Sequence, residues 1–259
     1  MTTKKVFLFS LVLVGAAYIY AEDAQKIVDD SRNRIKADTI LTQSKMVLTA
    51  KNGTTTDRVI NQYSKDGANG AARTIIEFLS PASVKGTRFL TIENKNGSDD
   101  RQIYLPDLNK VRRIAASDGS SSFMGTDLSY DDISSADRDV NKDAHKLLRE
   151  ESLNGKACYV IESTPKDTSY QYSKVISWID KANSVNYKME LYDKKNKLYK
   201  LYEVVELKDV QGRLSPWIIK MSNVQTGTFT TINVQKLQYD SNIPEAAFTS
   251  KYLETGKTS

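Results

Sequence analysis

From Thr39 onward, turn signals cut the chain into thirteen strand-length segments, and this limits the available folds more than any other feature. The segments run roughly over 40–50, 56–65, 71–79, 86–95, 100–105, 110–115, 144–152, 157–164, 173–180, 185–193, 197–209, 214–225 and 228–239. AKNGTT, SKDGANG, NKNGS, SLNGKA, DKANS, DKKNK, VQGR and QTG separate them, rich in Asn, Asp and Gly, which tolerate the positive φ of hairpin turns. Regular spacing of this kind favours an antiparallel, up-and-down sheet. Alternation shows which faces are dry. Val185, Tyr187, Met189 and Leu191 alternate with Asn186, Lys188 and Glu190. Tyr199, Leu201, Val205 and Leu207 share a face, with Glu203 as the exception, and Trp217, Ile219 and Met221 form a third apolar row. So many strands make a very large dry face, and something must cover it: the one long helix, the loop over 121–135, the C-terminal segment or a ligand. That shortfall of cover hints at a cavity, although a curved sheet can also close on its own side chains.

The helix is expected from Glu22 to about Lys36, with Ile27, Val28 and Ile35 on one face, acids at its start and Arg32, Arg34 and Lys36 at its end. Before it stand Lys4 and Lys5, an apolar run from Val6 to Tyr20, and Ala21. This describes a secretory signal peptide over 1–21 and a single domain over 22–259. The alternative is an uncleaved anchor, but the apolar run is shorter than the ~20 residues a span requires. No Cys ends the leader, so an acylated lipoprotein anchor is not expected and the processed protein should be soluble and periplasmic. Net charge falls from +5 to +3 without Lys4 and Lys5 (35 basic minus 32 acidic), too mild and too dispersed to suggest nucleic acid.

Catalytic chemistry is sparse. His145 is the only histidine and Cys158 the only cysteine, which leaves no zinc set and only one base for a nucleophile system. His145 lies among charges in NKDAHKLLREE and reads as a solvated surface residue. Cys158 reads as a buried thiol. The acidic group Asp127, Asp131 and Asp132 could offer oxygen ligands to calcium, but lacks the spacing of a calcium loop; turn hydrogen bonding is the simpler reading. No enzyme activity, cofactor or metal is expected. One of Arg112 and Arg113 should face the dry side, where Asp127, Asp131 or a ligand headgroup would be its partner. Phe123 and Met124, set among Ser and Gly in the soft stretch 115–139, should insert into the concavity as part of a lid or plug, with simple core packing of the loop as the alternative.

The central run KGTRFLTIENKNGSDDRQIYLPDLNKVRRIAASDGSSSFMGTDLSYDDI and the ending YDSNIPEAAFTSKYL carry a family pattern, as does the C-terminal strand series. In order and spacing they resemble the LolA-like family of outer-membrane lipoprotein-sorting proteins, with Ile103 standing where the family pattern leads one to expect Trp. The resemblance implies a mostly β fold: a strongly curved antiparallel sheet forming an unclosed β-barrel, lidded by helices and loops around a hydrophobic cavity. It implies a periplasmic carrier of lipid or lipoprotein acyl chains, moving between the inner and outer membranes. Its partners would be phospholipid or acylated lipoprotein, an inner-membrane transporter as donor and an outer-membrane acceptor, with transient membrane contact. The alternative is a lipid-responsive sensor or scaffold for an envelope complex. The residues expected to line the cavity are Phe89, Leu90, Ile92, Ile103, Leu105, Phe123, Met124, Leu128, Trp178, Met189, Leu191, Leu201, Trp217, Ile219 and Met221, with Arg112, Arg113 and Asp127 at the headgroup or lid.

Overall fold

The computed structural model of the chain describes residues 23–67, 70–94, 97–134 and 138–258; the signal-peptide expectation over 1–21 falls outside them. All thirteen expected strands form: β1 (Thr39–Thr49), β2 (Thr55–Asp66), β3 (Ala72–Ser80), β4 (Arg88–Ile92), β5 (Asp100–Leu105), β6 (Lys110–Arg113), β7 (Asp143–Leu153), β8 (Lys156–Pro165), β9 (Lys174–Asp180), β10 (Asn186–Tyr192), β11 (Leu198–Val210), β12 (Arg213–Asn223) and β13 (Thr228–Tyr239). They make one antiparallel sheet in the order β6-β5-β4-β3-β2-β1-β13-β12-β11-β10-β9-β8-β7. Every neighbour in that order except β1 and β13 is also a neighbour in sequence, so short hairpins set nearly every pairing. The two edges are β6 and β7, consecutive in the chain yet at opposite ends of the sheet, which is therefore unclosed. The connection between them must cross from one edge to the other.

Helix α1 covers residues 23–32, shorter at its C-terminal end than the expected run to Lys36. A second helix, α2 (Tyr130–Ser134), lies in the β6–β7 connection, and a third, α3 (Ser250–Thr255), ends the chain. Thr249 caps α3 by accepting from the Tyr252 amide, and Gly256 closes it at φ +65°. No helix among the described residues is long and apolar enough to cross a membrane.

Cross-strand pairing assigns the faces. Met46 pairs with Ile232, Ile232 with Ile219, Met221 with Tyr202, Tyr202 with Met189, Met189 with Ser177 and Ser177 with Ile161. This row runs along the inner face. α1 roofs its β7–β9 end, setting Ala24 and Val28 against Ile161 and Ile179. The β6–β7 connection fills the other end, where Phe123 and Leu128 join Met46, Phe78, Phe89, Ile103, Leu191 and Met221 in one cluster. The opposite face of β3–β5 is covered by the C-terminal segment: Ile243, Phe248, Tyr252 and Leu253 bury Ile75, Leu90 and Tyr104.

Candidate functional site: the plugged inner face

Phe123 is fully buried at the centre of the inner cluster. Its ring lies 5.7 Å from that of Phe78, 5.2 Å from Phe89 and 5.5 Å from Tyr130, edge-on to the last. The backbone there is unusual: Met124 takes φ +51° and Gly125 φ +78°. Two successive left-handed residues form a tight turn that drives Phe123 and Leu128 inward; at the second, only glycine avoids the Cβ penalty. The loop thus sets Phe123 and Leu128 into the inner cluster and plugs that face.

Four strands hold this plug. Asp127 accepts the hydroxyls of Thr228 (2.5 Å) and Thr230 (2.8 Å) on β13. Arg58 of β2 donates to the Met124 carbonyl and lies over the Phe78 ring. Arg101 of β5 pairs with Asp131 at 2.7 Å and with Asp99 at 3.2 Å. Lys200 of β11 pairs with Asp132 at 2.7 Å, with side chains only 4% and 5% exposed. Asp132 also accepts from the Tyr172 hydroxyl (2.7 Å) and from the Ser129 amide. Burial raises the Asp131 pKa against the pull of Arg101, and burial beside Asp132 pushes the Tyr172 phenol well above its ordinary range. Gly119 leaves room for this arrangement: a Cβ there would overlap the Asp131 carboxylate.

Between plug and α1 the inner face keeps partial access to water. Val175, Met189, Tyr199, Tyr202 and Ile232 pack on the cluster yet are only partly buried. Desolvation pushes Tyr202 up to about 12, while its side chain remains partly accessible. At the rim, around α2, lie two clefts of about 480 and 590 Å³ that share Ala116, Asp131 and Ser169. They meet the apolar cluster at Tyr170 and Tyr199.

The expected lining residues divide between faces. Phe89, Ile103, Leu105, Phe123, Met124, Leu128, Met189, Leu191 and Met221 come together, and Ile219 shares their face through its pairing with Ile232. Leu90 and Ile92 do not: they lie on the other face beneath the C-terminal segment. β4 reads Arg-Phe-Leu-Thr-Ile, apolar on both sides, so alternation alone selects neither. Trp178 is likewise on the opposite face, packed with Cys158 and Val160. Leu201 also points away, because its neighbour Tyr202 pairs with Met221; irregularities between Val204 and Leu207 shift the register, so the apolar row expected through Leu201 and Val205 is not continuous. Trp217 is half-buried and stacks under the Lys208 ammonium at 4.0 Å rather than joining the cluster.

Neither expected arginine supplies the inward charge. Arg112 is exposed, and Arg113 pairs with Asp100 at the surface. The buried partner of Asp131 is Arg101, which alternation could have found: it shares a face with Ile103 and Leu105. Lys200 was hidden by the surrounding lysines of YDKKNKLYK. His145 is buried, not solvated; Nε2–H donates to the Val140 carbonyl (2.9 Å) and Nδ1 accepts from Ser163 (2.7 Å). The three acidic residues once considered for calcium diverge to Thr228 and Thr230, to Arg101, and to Lys200. No group of three His, Cys, Asp or Glu residues among the described ones is placed to hold a metal ion.

This geometry has counterparts. A family model described only as an uncharacterized protein matches residues 70–255. A DUF1329 family protein from Desulfovibrio piger superposes with a TM-score of 0.86 at 29% identity, over 90% of this chain and 99% of its own. A domain from Vibrio parahaemolyticus, named for outer membrane lipoprotein sorting, gives 0.85 at 28% identity, over 90% and 99%. A LolA superfamily protein from Nitrosomonas europaea shares the fold with a TM-score of 0.72 at 22% identity, over 88% and 98%. No curated protein matches the chain.

Proposed function

This chain belongs to the LolA-like family of outer-membrane lipoprotein-sorting proteins, and from that premise we propose that it is a periplasmic carrier that wraps acyl chains on the inner face of its sheet and moves them between membranes. The observation that carries this reading is the plug. The apolar concavity is filled by a loop that turns on two left-handed residues and is held by side-chain clasps, not by strand pairing. A plug of this kind can give up its place without dismantling the sheet. We take residues 1–21 as the export signal and 22–259 as the working domain.

The energetics favour a displaceable filler. Exposing a chain of about 16 carbons to water costs on the order of 12 kcal/mol, at ~0.8 kcal/mol per CH₂. A carrier must cover the chain, yet release it to the next membrane. Phe123, Met124 and Leu128 cover the inner face when cargo is absent, and the partly exposed Met189, Tyr202 and Ile232 supply the first contacts for an entering chain. The donor transporter and the outer-membrane acceptor belong to the same proposal.

The test is uptake of a fluorescent palmitoyl probe. Met189→Glu and Ile232→Glu place charge on the inner face and are expected to abolish uptake. Leu201→Glu, on the opposite face, should leave it intact. Folded inner-face variants that still bind the probe would overturn the assignment.

A further inference from the structure

In a sheet of successive antiparallel hairpins, alternate connections gather at opposite ends. Thr49 is in register with both Thr55 and Phe229, and Asn223 with both Lys200 and Thr228, so the connections 50–54, 193–197 and 224–227 share one end. The connections 81–87, 106–109 and 166–173 fall at the same end by alternation. Neighbouring ones meet: Lys194 donates to the Thr168 carbonyl (2.7 Å), Gln225 donates to Asp193 (2.9 Å), Gly227 lies beside the Lys51 side chain and Gly86 beside Pro106. The plug is clasped at this end, where Thr228 and Thr230 hold Asp127. The rim cleft of about 590 Å³ opens between plug and turns, lined by Ser117, Ser120, Lys194, Lys195 and Tyr199.

Charge separates the two ends. The connections at the plug end carry six exposed lysines, Lys51, Lys85, Lys166, Lys194, Lys195 and Lys197, against three aspartates, Asp107, Asp167 and Asp193. Among the described residues none of the six pairs with a carboxylate: Lys166 and Lys194 donate to backbone carbonyls, and the side chains of the other four make no hydrogen bond or ion pair. At the margin, Lys110 and Arg112 add two exposed cations and Asp118 one exposed carboxylate, while Asp57 is matched by Lys45. The hairpin connections of the opposite end are balanced, with Lys95 and Lys181 against Glu93 and Asp99. The plug end also shows two exposed apolar side chains in its turns, Leu108 (52%) and Val224 (44%). Taken singly such exposure is ordinary. Among unpaired lysines it matches what an anionic bilayer receives: ammonium groups at headgroup level and apolar tips just below it. We propose that this end of the sheet is a docking surface for an anionic phospholipid bilayer, with Leu108 and Val224 entering the interface and the lysines lying against the headgroups. The assignment rests on the carrier reading and places the clefts beside the plug against the membrane from which an acyl chain would enter.

The experiment floats the protein purified from envelope fractions with vesicles of phosphatidylcholine, alone or containing phosphatidylglycerol. Partitioning onto the anionic vesicles should be at least about tenfold higher in low salt and should decline as salt screens the surface. The triple variant Lys194→Gln, Lys195→Gln, Lys197→Gln should lose at least about tenfold of that partitioning, because each lysine near an anionic surface contributes about a fivefold factor. Lys36→Gln, Lys181→Gln, Lys236→Gln removes the same charge away from this end and should leave it unchanged. Leu108→Ser, Val224→Ser should weaken binding without altering its salt dependence. All these positions are exposed, and uptake of the palmitoyl probe in solution checks that each variant is folded. Equal partitioning onto the two vesicle types, or equal losses in the two lysine triples, overturns the docking surface. Absence of flotation with probe uptake intact overturns the docking surface and leaves the carrier reading standing. Absence of both overturns both.

Discussion

His145 illustrates how context decides a residue. In the neutral ring Nε2–H is given to the Val140 carbonyl and Nδ1 takes the Ser163 hydroxyl, so both nitrogens are satisfied without a charge. Burial lowers its pKa from the ordinary 6.5, with Arg32 and Lys166 acting in the same direction and the Val140 hydrogen bond and Asp143 opposing. The unfolded chain therefore binds a proton more readily than the folded one between the folded pKa and about 6.5. Stability from this group is fully present above about pH 6.5 and is lost as pH falls through that value towards the folded pKa. Urea midpoints measured from pH 7.5 to 5 should fall on acidification, and His145→Gln should flatten that slope. The charged residues around His145 in the sequence suggested a surface position. The better signal was its parity with Leu147, whose side chain packs beneath α1. Arg101 was legible in the same way through Ile103 and Leu105.

At the scale of elements, strand positions were legible because nearly every pair is a hairpin closed by residues chosen for their backbone freedom. The facing of individual strands was less so. β4 and β9 are apolar on both sides, since the C-terminal segment covers one face of β4 and Trp178 packs on Cys158 and Val160 behind β9. β11 carries register shifts that no local pattern announces. The plug was visible as misplaced apolar residues in a Ser/Gly stretch and Asp131 as a carboxylate awaiting an inward arginine, whereas the pairings themselves were not, because each clasp joins residues distant in the chain. The Lys200–Asp132 clasp predicts a definite asymmetry. Lys200→Met leaves Asp132 buried without its countercharge and should cost about 3–5 kcal/mol. Adding Asp132→Asn should recover part of that loss. Hydrogen exchange is expected to localise the effect of Lys200→Met to residues 119–134, with the β1–β13 ladder still protected. Uniform loss of protection would mean that the plug is an inseparable part of the core.

For the whole molecule, the unclosed sheet explains the division of labour. Its two edges are joined by one crossing connection, and that connection is also what fills the concavity. A closed barrel could not vary its interior so readily; a flat sheet would have none. The family resemblance and the sheet were both readable from the chain, while the cargo was not, because many chemistries can share one curved apolar face. The most direct measurement is native mass spectrometry of the protein purified from envelope fractions, with organic extraction and identification of whatever it carries. The account predicts discrete adducts that extract as phospholipids or acylated species and that diminish in Met189→Glu. A bare protein mass that stays bare after incubation with phospholipid vesicles would contradict it.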